Sequence, residues 1–135
     1  MAIINWSDEY SVNVKDMDEQ HKKLIVLINE LNEAMKSGKA KDIMEKILKN
    51  LIDYTVTHFS SEEKLMQSKD YPGYLAQKSQ HEAFTKQVVD FQTKYHEGKA
   101  ISSVEIMTFL KDWLIKHIKE SDKKYGPFLN NRGIS

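Results

Sequence analysis

The chain has 135 residues, enough for one domain with its own hydrophobic core, and its 20 basic and 20 acidic residues give a formal net charge of zero. This balance excludes the basic excess of a nucleic-acid-binding face, and the acidic residues among the lysines argue against a patch for membrane surfaces. Cysteine is absent, which excludes disulfides, iron–sulfur clusters, thiolate zinc sites and a cysteine nucleophile. The amino terminus has no signal-peptide pattern and no apolar run approaches the ~20 residues that span a bilayer, so we expect a cytoplasmic protein without membrane insertion.

An irregular arm over residues 1–17, in which Trp6 and Tyr10 are expected to pack on the rest of the molecule, precedes four segments with helical periodicity. Glycine and proline separate these segments. The predicted helices run over about 18–36, 41–67, 72–97 and 103–125. Long helices joined by short loops predict one all-α domain over residues 1–135, with an antiparallel up-down-up-down four-helix bundle at about 18–125.

Proline, serine and glycine mark the ends of the later helices. Pro72 suits the first turn of the third helix, where its missing N–H would have no helical partner. Ser102 or Ser103 can cap the start of the fourth helix. Gly126 and Pro127 punctuate the chain after that helix, which we expect to end at about residue 125.

Each helix has a row of residues that faces the predicted core, and polar residues interrupt these rows where apolar ones would be expected. The interrupting histidines and carboxylates are His21, His58, Glu62, His81, His117 and Asp122, and an amide, Gln77, is also in phase with the core. A single core histidine is more often a hydrogen-bonded structural residue, but burying so many polar groups is unfavourable unless something binds them. We therefore predict a metal centre, and four imidazoles with two carboxylates suffice for two metal ions.

Connectivity brings these residues to one end of the bundle. They lie near the starts of the first and third helices and near the ends of the second and fourth, and all four of these termini share one end in an up-down-up-down bundle. Two pairs, His58 with Glu62 and Gln77 with His81, are four residues apart and therefore lie on one stripe of their helix. We expect the side chains to converge in one layer.

The pair on the fourth helix is less regular. His117 and Asp122 are five residues apart, a rotation of about 140° in an α-helix, whereas regular helical phase places Glu120 next on the inward row. The two residues can flank one site only with a local distortion of the helix. Imidazole and carboxylate ligands without sulfur suit iron, manganese or zinc, and carboxylates that can bridge suit a pair of ions.

With these residues the chain resembles the hemerythrins, specifically the single-domain bacterial hemerythrins (bacteriohemerythrins), over nearly its whole length. The matching segments are residues 18–21 (DEQH), 58–63 (HFSSEE), His81 with its upstream partner position, and 113–122 (WLIKHIKESD). The resemblance implies two non-haem iron ions, alternating between Fe2+ and Fe3+ with a bridging oxo or hydroxo group, and O2 as a reversibly bound ligand.

The resemblance also implies a role for each matching residue. The implied ligands are the bridging carboxylates Glu62 and Asp122, then His21 and His58 at the iron that binds O2, then His81, His117 and position 77 at the other iron. Phe59, Trp113 and Leu114 would line an apolar O2 pocket that limits water access and slows oxidation.

Gln77 departs from the family, which has histidine at this position. An amide oxygen is a much weaker ligand than imidazole, and three outcomes stay open. The amide oxygen coordinates weakly; or it steps back and water or another ligand takes the position; or the second iron binds poorly and leaves a partly occupied or mononuclear site. An open position predicts faster autoxidation or peroxidase-like chemistry.

The leading functional hypothesis is a di-iron protein that carries, stores or supplies O2, working with a redox or O2-consuming partner protein. An even surface charge without an obvious apolar stripe outside the bundle predicts a monomer. We expect O2 binding rather than enzymatic turnover.

Three alternatives stay open. A peroxidase or oxidase would use the opened coordination position, and turnover of a reducing substrate with peroxide would identify it. An O2 sensor would need the arm that carries Trp6 and Tyr10 to shift on binding. Metal storage or detoxification is supported only by the number of histidines and carboxylates, and it would show more than two irons per chain.

Overall fold

A computed structural model of the chain describes residues 3–99 and 103–135, without the side chain of Ser103. Its elements are α1 (Lys15–Lys36), α2 (Lys41–Ser68), α3 (Tyr74–His96), α4 (Ser103–Lys116), a π-helical turn (His117–Asp122) and α5 (Lys123–Asn130). A short 3-10 turn (Asp8–Tyr10) precedes them, and the described residues form no strand. Because α4, the π turn and α5 are continuous, they form the fourth member of the predicted four-helix bundle. None of the helices in the described part of the chain combines the length and apolar character that a bilayer crossing requires.

The predicted inward rows of the helices form the core. Buried residues at these positions include Leu24, Ile28, Leu31, Leu48, Leu51, Phe84, Val88, Ile106 and Leu110. A fully buried side chain of this kind stabilises the fold by about 1.5–3 kcal/mol relative to an exposed one. Helices α1 and α2, α2 and α3, and α1 and α4 are in contact. The rings of Phe84 and Phe109, with centroids 5.6 Å apart, join α3 to α4.

The end of α1 shows how short loops keep neighbouring helices antiparallel. Gly38 has φ +62°, a left-handed conformation that other residues rarely adopt. Its N–H donates to the Met35 carbonyl at 3.4 Å, and the Lys39 N–H donates to the Ala34 carbonyl at 3.2 Å. These two bonds form a Schellman motif, which satisfies the last carbonyls of α1 and reverses the chain into α2.

The amino-terminal arm packs on the bundle, but it is shorter than predicted. Helix α1 begins at Lys15, three residues before the expected start, because the Asp18 N–H already donates to the Val14 carbonyl at 2.9 Å. Tyr10 is buried, and Trp6 lies against it with ring centroids 6.1 Å apart. The N–H groups of Ile3 and Ile4 donate to Asn29 Oδ1, so the arm runs along α1 from its start past its middle.

The prediction that Pro72 lies in the first turn of the third helix is wrong. Helix α3 begins at Tyr74, and the Tyr74 N–H donates to the Tyr71 carbonyl at 3.2 Å. Pro72 is thus the second residue of a β-turn, a position that its fixed φ favours. The predicted capping of the fourth helix by Ser102 or Ser103 lies outside the described residues and side chains.

The fourth helix also extends past its predicted end. Gly126 and Pro127 lie inside α5 rather than after the last helix. A Cβ atom at position 126 would collide with the carbonyl oxygen of Val12, so glycine allows the backbone of the arm to approach α5 closely. Pro127 removes one backbone donor without ending the helix.

Candidate metal centre

The seven predicted ligand residues lie together at one end of the bundle, as connectivity predicted. They are His21, His58, Glu62, Gln77, His81, His117 and Asp122, and each is at most 4% exposed. They come from α1, α2, α3 and the π turn, so all four members of the bundle contribute to this layer. Buried polar groups at such density require partners, and their contacts show which partners they have.

The ligand atoms form two adjoining groups. The first, here called the His21 group, contains His21, His58 and Glu62. The second, the His81 group, contains Glu62, His81, His117 and Asp122. Within each group every residue offers one ligand atom, and these atoms lie within 4.8 Å of one another. Because Glu62 belongs to both groups, the two candidate ion positions are neighbours.

The Glu62 carboxylate faces imidazoles from three helices. Its Oε1 lies 3.1 Å from His58 Nε2 and 3.5 Å from His81 Nε2. Its Oε2 lies 3.4 Å from His21 Nε2. One carboxylate therefore reaches both groups, with a different oxygen available to His21.

Asp122 also connects the two groups, and the π turn makes this contact geometrically accessible. Its Oδ2 lies 3.1 Å from His21 Nε2, and its Oδ1 lies 3.1 Å from His117 Nε2. A π-helix closes its turn with i→i+5 hydrogen bonds, so His117 and Asp122 lie one turn apart despite their five-residue spacing. The inward position predicted for Glu120 is wrong: the wider turn leaves Glu120 exposed and Asp122 buried.

Three outer hydrogen bonds orient the imidazoles, and the sequence analysis missed all three acceptors. The pairs are His58 Nδ1 with Gln20 Oε1 at 2.6 Å, His81 Nδ1 with Glu63 Oε2 at 2.9 Å, and His117 Nδ1 with Gln80 Oε1 at 2.7 Å. Amide and carboxylate oxygens only accept hydrogen bonds, so each imidazole carries its hydrogen on Nδ1. In its neutral form each of these imidazoles therefore has its lone pair on Nε2, which faces the cluster, as a metal ligand requires.

The atoms inside the cluster lack the partners that they need. His81 Nε2 and His117 Nε2 are 3.1 Å apart, and with both hydrogens on Nδ1 their lone pairs oppose each other. The buried atoms without a hydrogen bond include both ring nitrogens of His21, Glu62 Oε1 and Asp122 Oδ2, although an ion-pair contact of 3.1 Å joins His21 Nε2 to Asp122 Oδ2. Each such atom costs about 1–3 kcal/mol when nothing binds it. Two cations among these nitrogen and oxygen donors would satisfy the inward-facing atoms, and a sulfur-free set of this kind suits iron, manganese or zinc.

The pKa values report the same electrostatic arrangement. Burial lowers the pKa of His21, but its contacts with Asp122 and Glu62 outweigh burial and raise the pKa to about 10. Burial raises the pKa of Glu62, but His58 and His21 outweigh it and hold that pKa well below its ordinary value. Burial lowers the pKa of His81 below its ordinary value. In the metal-free protein a proton on His21 thus takes the place of a cation between the carboxylates.

Each shared carboxylate also accepts a hydrogen bond from a neutral donor. Gln77 Nε2 donates to Asp122 Oδ1 at 3.0 Å, while Gln77 Oε1 has no hydrogen-bond partner. The Tyr125 hydroxyl donates to Glu62 Oε2 at 2.5 Å. Burial, together with the charge of Glu62, raises the pKa of Tyr125 well above its ordinary value. Tyr125 thus holds a proton against one oxygen of Glu62.

Aromatic rings border the His81 group. The ring of Phe59 stacks on His81 with centroids 3.8 Å apart and an interplanar angle of 2°. Trp113 stacks on His117 with centroids 4.4 Å apart and an angle of 15°. Phe59 and Leu114 are both 4% exposed, whereas Trp113 is partly buried. Two of the predicted pocket residues therefore cover imidazole faces directly, and Leu114 lies in the hydrophobic core.

The chain is similar in sequence and in backbone structure to known proteins of one family. The family described as "Hemerythrin HHE cation binding domain" matches residues 12–129. The chain is 39% identical over 131 residues to a bacteriohemerythrin of Methylococcus capsulatus, covering 96% of this chain and 99% of that protein. It is 34% identical over 125 residues to a bacteriohemerythrin of Stenotrophomonas maltophilia, covering 93% of this chain and 80% of that protein. A crystal structure of wild-type hemerythrin is similar with a TM-score of 0.88 at 38% identity, covering 93% of this chain and 97% of the other.

The matched region includes both donor groups, the π turn and nearly the whole bundle. Sequence and backbone agree over most of both chains, so the resemblance noted from the sequence is confirmed. The chain belongs to the hemerythrin family, and this membership implies a non-haem di-iron site.

Proposed function

We propose that this protein binds O2 reversibly at a pair of non-haem irons and acts as an O2 carrier, store or local supplier. The observation that supports the proposal most is the pair of buried donor groups that share Glu62 and are joined by Asp122. A non-haem iron pair, when bound, supplies reversible uptake of O2. The residues of the chain hold the pair, orient its ligands and keep water away.

The proposed ligands follow the two donor groups. His21 and His58 would hold the iron that takes up O2, and His81 and His117 would hold the other. Glu62 and Asp122 would be shared, because each carboxylate lies near imidazoles of both groups. The outer hydrogen bonds to Nδ1 keep the imidazole lone pairs directed inward, so little reorganisation is needed for binding.

Exclusion of water is the second part of the proposal. Phe59 and Trp113 cover the imidazole faces of His81 and His117, and Leu114 extends the apolar surroundings. An apolar, poorly solvated pocket disfavours charge separation and proton entry, both of which promote oxidation of ferrous iron. The arrangement therefore favours binding and release over turnover.

Gln77 is the position at which we expect this chain to depart from its family. Its amide nitrogen donates to Asp122, and its amide oxygen is a neutral, weak donor in comparison with imidazole. We propose that the iron held by His81 and His117 consequently has one weakly held coordination position. The variant Gln77→His should convert more slowly from the oxygenated to the ferric form than the unmodified protein. Equal rates for the two proteins would refute this role of Gln77.

The proposed function is tested by loading the protein with Fe(II) without oxygen, counting irons per chain, and recording the visible spectrum through cycles of O2 addition and removal. We expect two irons and a charge-transfer band that appears with O2 and disappears without it. One iron, or an irreversible ferric spectrum on first exposure, would overturn the proposal. Turnover of a reducing substrate with peroxide should remain low, and sedimentation should show a monomer.

A matched pair of histidine variants controls this experiment. His58→Ala removes a proposed ligand and should lower the iron content. His96→Ala removes a histidine near the other end of α3, whose side chain is 76% exposed, and should keep both irons and the reversible band. Equal iron content in the two variants would show that the iron is bound elsewhere.

A further inference from the structure

The imidazoles of His58, His81 and His117 differ in the group that accepts a hydrogen bond from Nδ1. The Nδ1 atoms of His58 and His117 face amide oxygens of glutamine. The Nδ1 of His81 instead faces a carboxylate, with Glu63 Oε2 at 2.9 Å. Within the described residues, Glu63 is thus the carboxylate among the three side chains that accept a hydrogen bond from these Nδ1 atoms. This difference makes the two halves of the candidate centre chemically unequal.

We propose that Glu63 is a positioning residue that makes His81 a stronger imidazole donor than a neutral acceptor would, and that lowers the reduction potential of the iron that His81 holds. The inference rests on the proposed di-iron function. A carboxylate that accepts from Nδ1–H draws that hydrogen away and raises the basicity of Nε2. Such a charge-assisted hydrogen bond is roughly twice as strong as one to a neutral amide. A more basic Nε2 stabilises Fe(III) more than Fe(II).

The surroundings of His81 fix the geometry that this effect needs. Phe59 stacks on one face of the imidazole, and Glu63 holds its outer edge. The imidazole is 2% exposed and the Glu63 side chain 21% exposed. The ring therefore has a single orientation, with Nε2 directed into the cluster.

Glu63 also lies beside a groove between α2 and α3. The groove has a volume of about 350 Å³, and its walls include Phe59, His81, Glu82 and Lys86. Glu63 follows Glu62 directly on α2, so one helix supplies the shared carboxylate inside the centre and the outer carboxylate beside the groove. The charge of Glu63 consequently reaches the centre through His81 rather than through direct contact with an ion.

The test uses three variants that separate this hydrogen bond from general surface charge. Glu63→Gln keeps an acceptor for His81 but removes its charge. Glu82→Gln removes a charge from the same groove, and Glu82 makes no hydrogen bond within the described residues. Gln80→Glu adds a carboxylate at His117, which should shift the potential in the opposite direction.

The first readout is the reduction potential of the iron-loaded protein, measured by spectroelectrochemical titration. If Glu63→Gln weakens Fe(III) binding about tenfold relative to Fe(II), the potential rises by about 59 mV for a one-electron step. We expect a rise of this size for Glu63→Gln, a fall for Gln80→Glu and no change for Glu82→Gln. An unchanged potential in Glu63→Gln, or the same shift in Glu82→Gln, would overturn the inference.

The second readout does not depend on iron or O2. In competition with a chelator, Glu63→Gln should bind Zn(II) about 10- to 100-fold more weakly than the unmodified protein, whereas Glu82→Gln should bind it equally well. If the unmodified protein fails to hold two irons, the proposed function fails, and the Zn(II) competition alone decides the role of Glu63. Equal Zn(II) affinity of the unmodified protein and Glu63→Gln would then refute that role.

Discussion

Metal uptake should displace a proton from His21. In the metal-free protein His21 Nε2 lies 3.1 Å from Asp122 Oδ2 and 3.4 Å from Glu62 Oε2. Burial alone would lower the pKa of His21, but these two carboxylates raise it from 6.5 to about 10. At pH 8 the buried imidazole is therefore protonated on both ring nitrogens and positively charged, whereas an imidazole that binds a metal must be neutral.

The size of the effect follows from this pKa. Below pH 10, each increase of one pH unit makes removal of the His21 proton easier by about 1.36 kcal/mol. This corresponds to an increase of about tenfold in apparent metal affinity. Between pH 7 and pH 9 the affinity contributed by this step should therefore rise about 100-fold. Burial lowers the pKa of His81, so that imidazole is already neutral and adds no proton.

Isothermal titration calorimetry with Zn(II) measures the metal affinity and the number of protons that binding releases. Titrations at pH 7, 8 and 9, each in two buffers with different ionisation enthalpies, give the affinity and the number of protons released. The variant His21→Gln has no proton to lose at this position and should release about one proton fewer than the unmodified protein. Equal proton release by the two proteins, with an affinity that does not change with pH, would refute the assignment of the proton to His21.

Three further predictions concern the stability of the metal-free protein, each measured by urea unfolding. The raised pKa of His21 gives stability that is complete below pH 6.5 and is lost as pH rises toward 10, while the lowered pKa of Glu62 gives stability that is lost as pH falls below 4.5. The metal-free protein should thus be most stable between pH 4.5 and pH 6.5, and a stability maximum above pH 9 would contradict the charge arrangement. Tyr125→Phe removes a donor to a buried carboxylate and should cost about 1.5–3 kcal/mol, whereas Tyr71→Phe, whose hydroxyl makes no hydrogen bond within the described residues, should cost less. Gly126→Ala should destabilise by about 1–3 kcal/mol, because the added Cβ meets backbone of the arm, and a gain in stability would refute this close approach.

Helical periodicity and connectivity predict much of the site because both depend on backbone geometry alone. The four-residue spacing of His58 and Glu62 places them on one stripe in any α-helix. The up-down-up-down order then brings His21, His81 and His117 to the same end. Neither inference needs knowledge of individual contacts, so both could be made before the structure was known.

The exceptions depend on local geometry and on how neighbouring helices are rotated. The π turn changes which side chains of the fourth helix point inward. Regular α-helical phase therefore placed Glu120 on the inward row, whereas the structure buries Asp122. The outer acceptors Gln20, Glu63 and Gln80 each lie next to a predicted ligand in sequence, yet each binds an imidazole of another helix. A polar residue adjacent to a predicted ligand is therefore a usable signal for such acceptors, although its partner depends on helix packing.

Tyr125 shows a similar dependence on the course of the chain. The contact with Glu62 requires the fourth helix to continue through the π turn into α5. The sequence pattern Gly126-Pro127 suggested that the helix ended there. The short approach of the arm backbone to Gly126, which sequence periodicity does not report, explains why glycine lies inside the helix instead.

The central claim is that the His21 group and the His81 group hold two irons that share Glu62 and Asp122. Anomalous diffraction from crystals loaded with Fe(II) under anaerobic conditions, recorded on both sides of the iron absorption edge, tests it most directly. We predict two iron peaks, one in each donor group, with the two carboxylates between them. A single peak, or peaks away from these residues, would contradict the account.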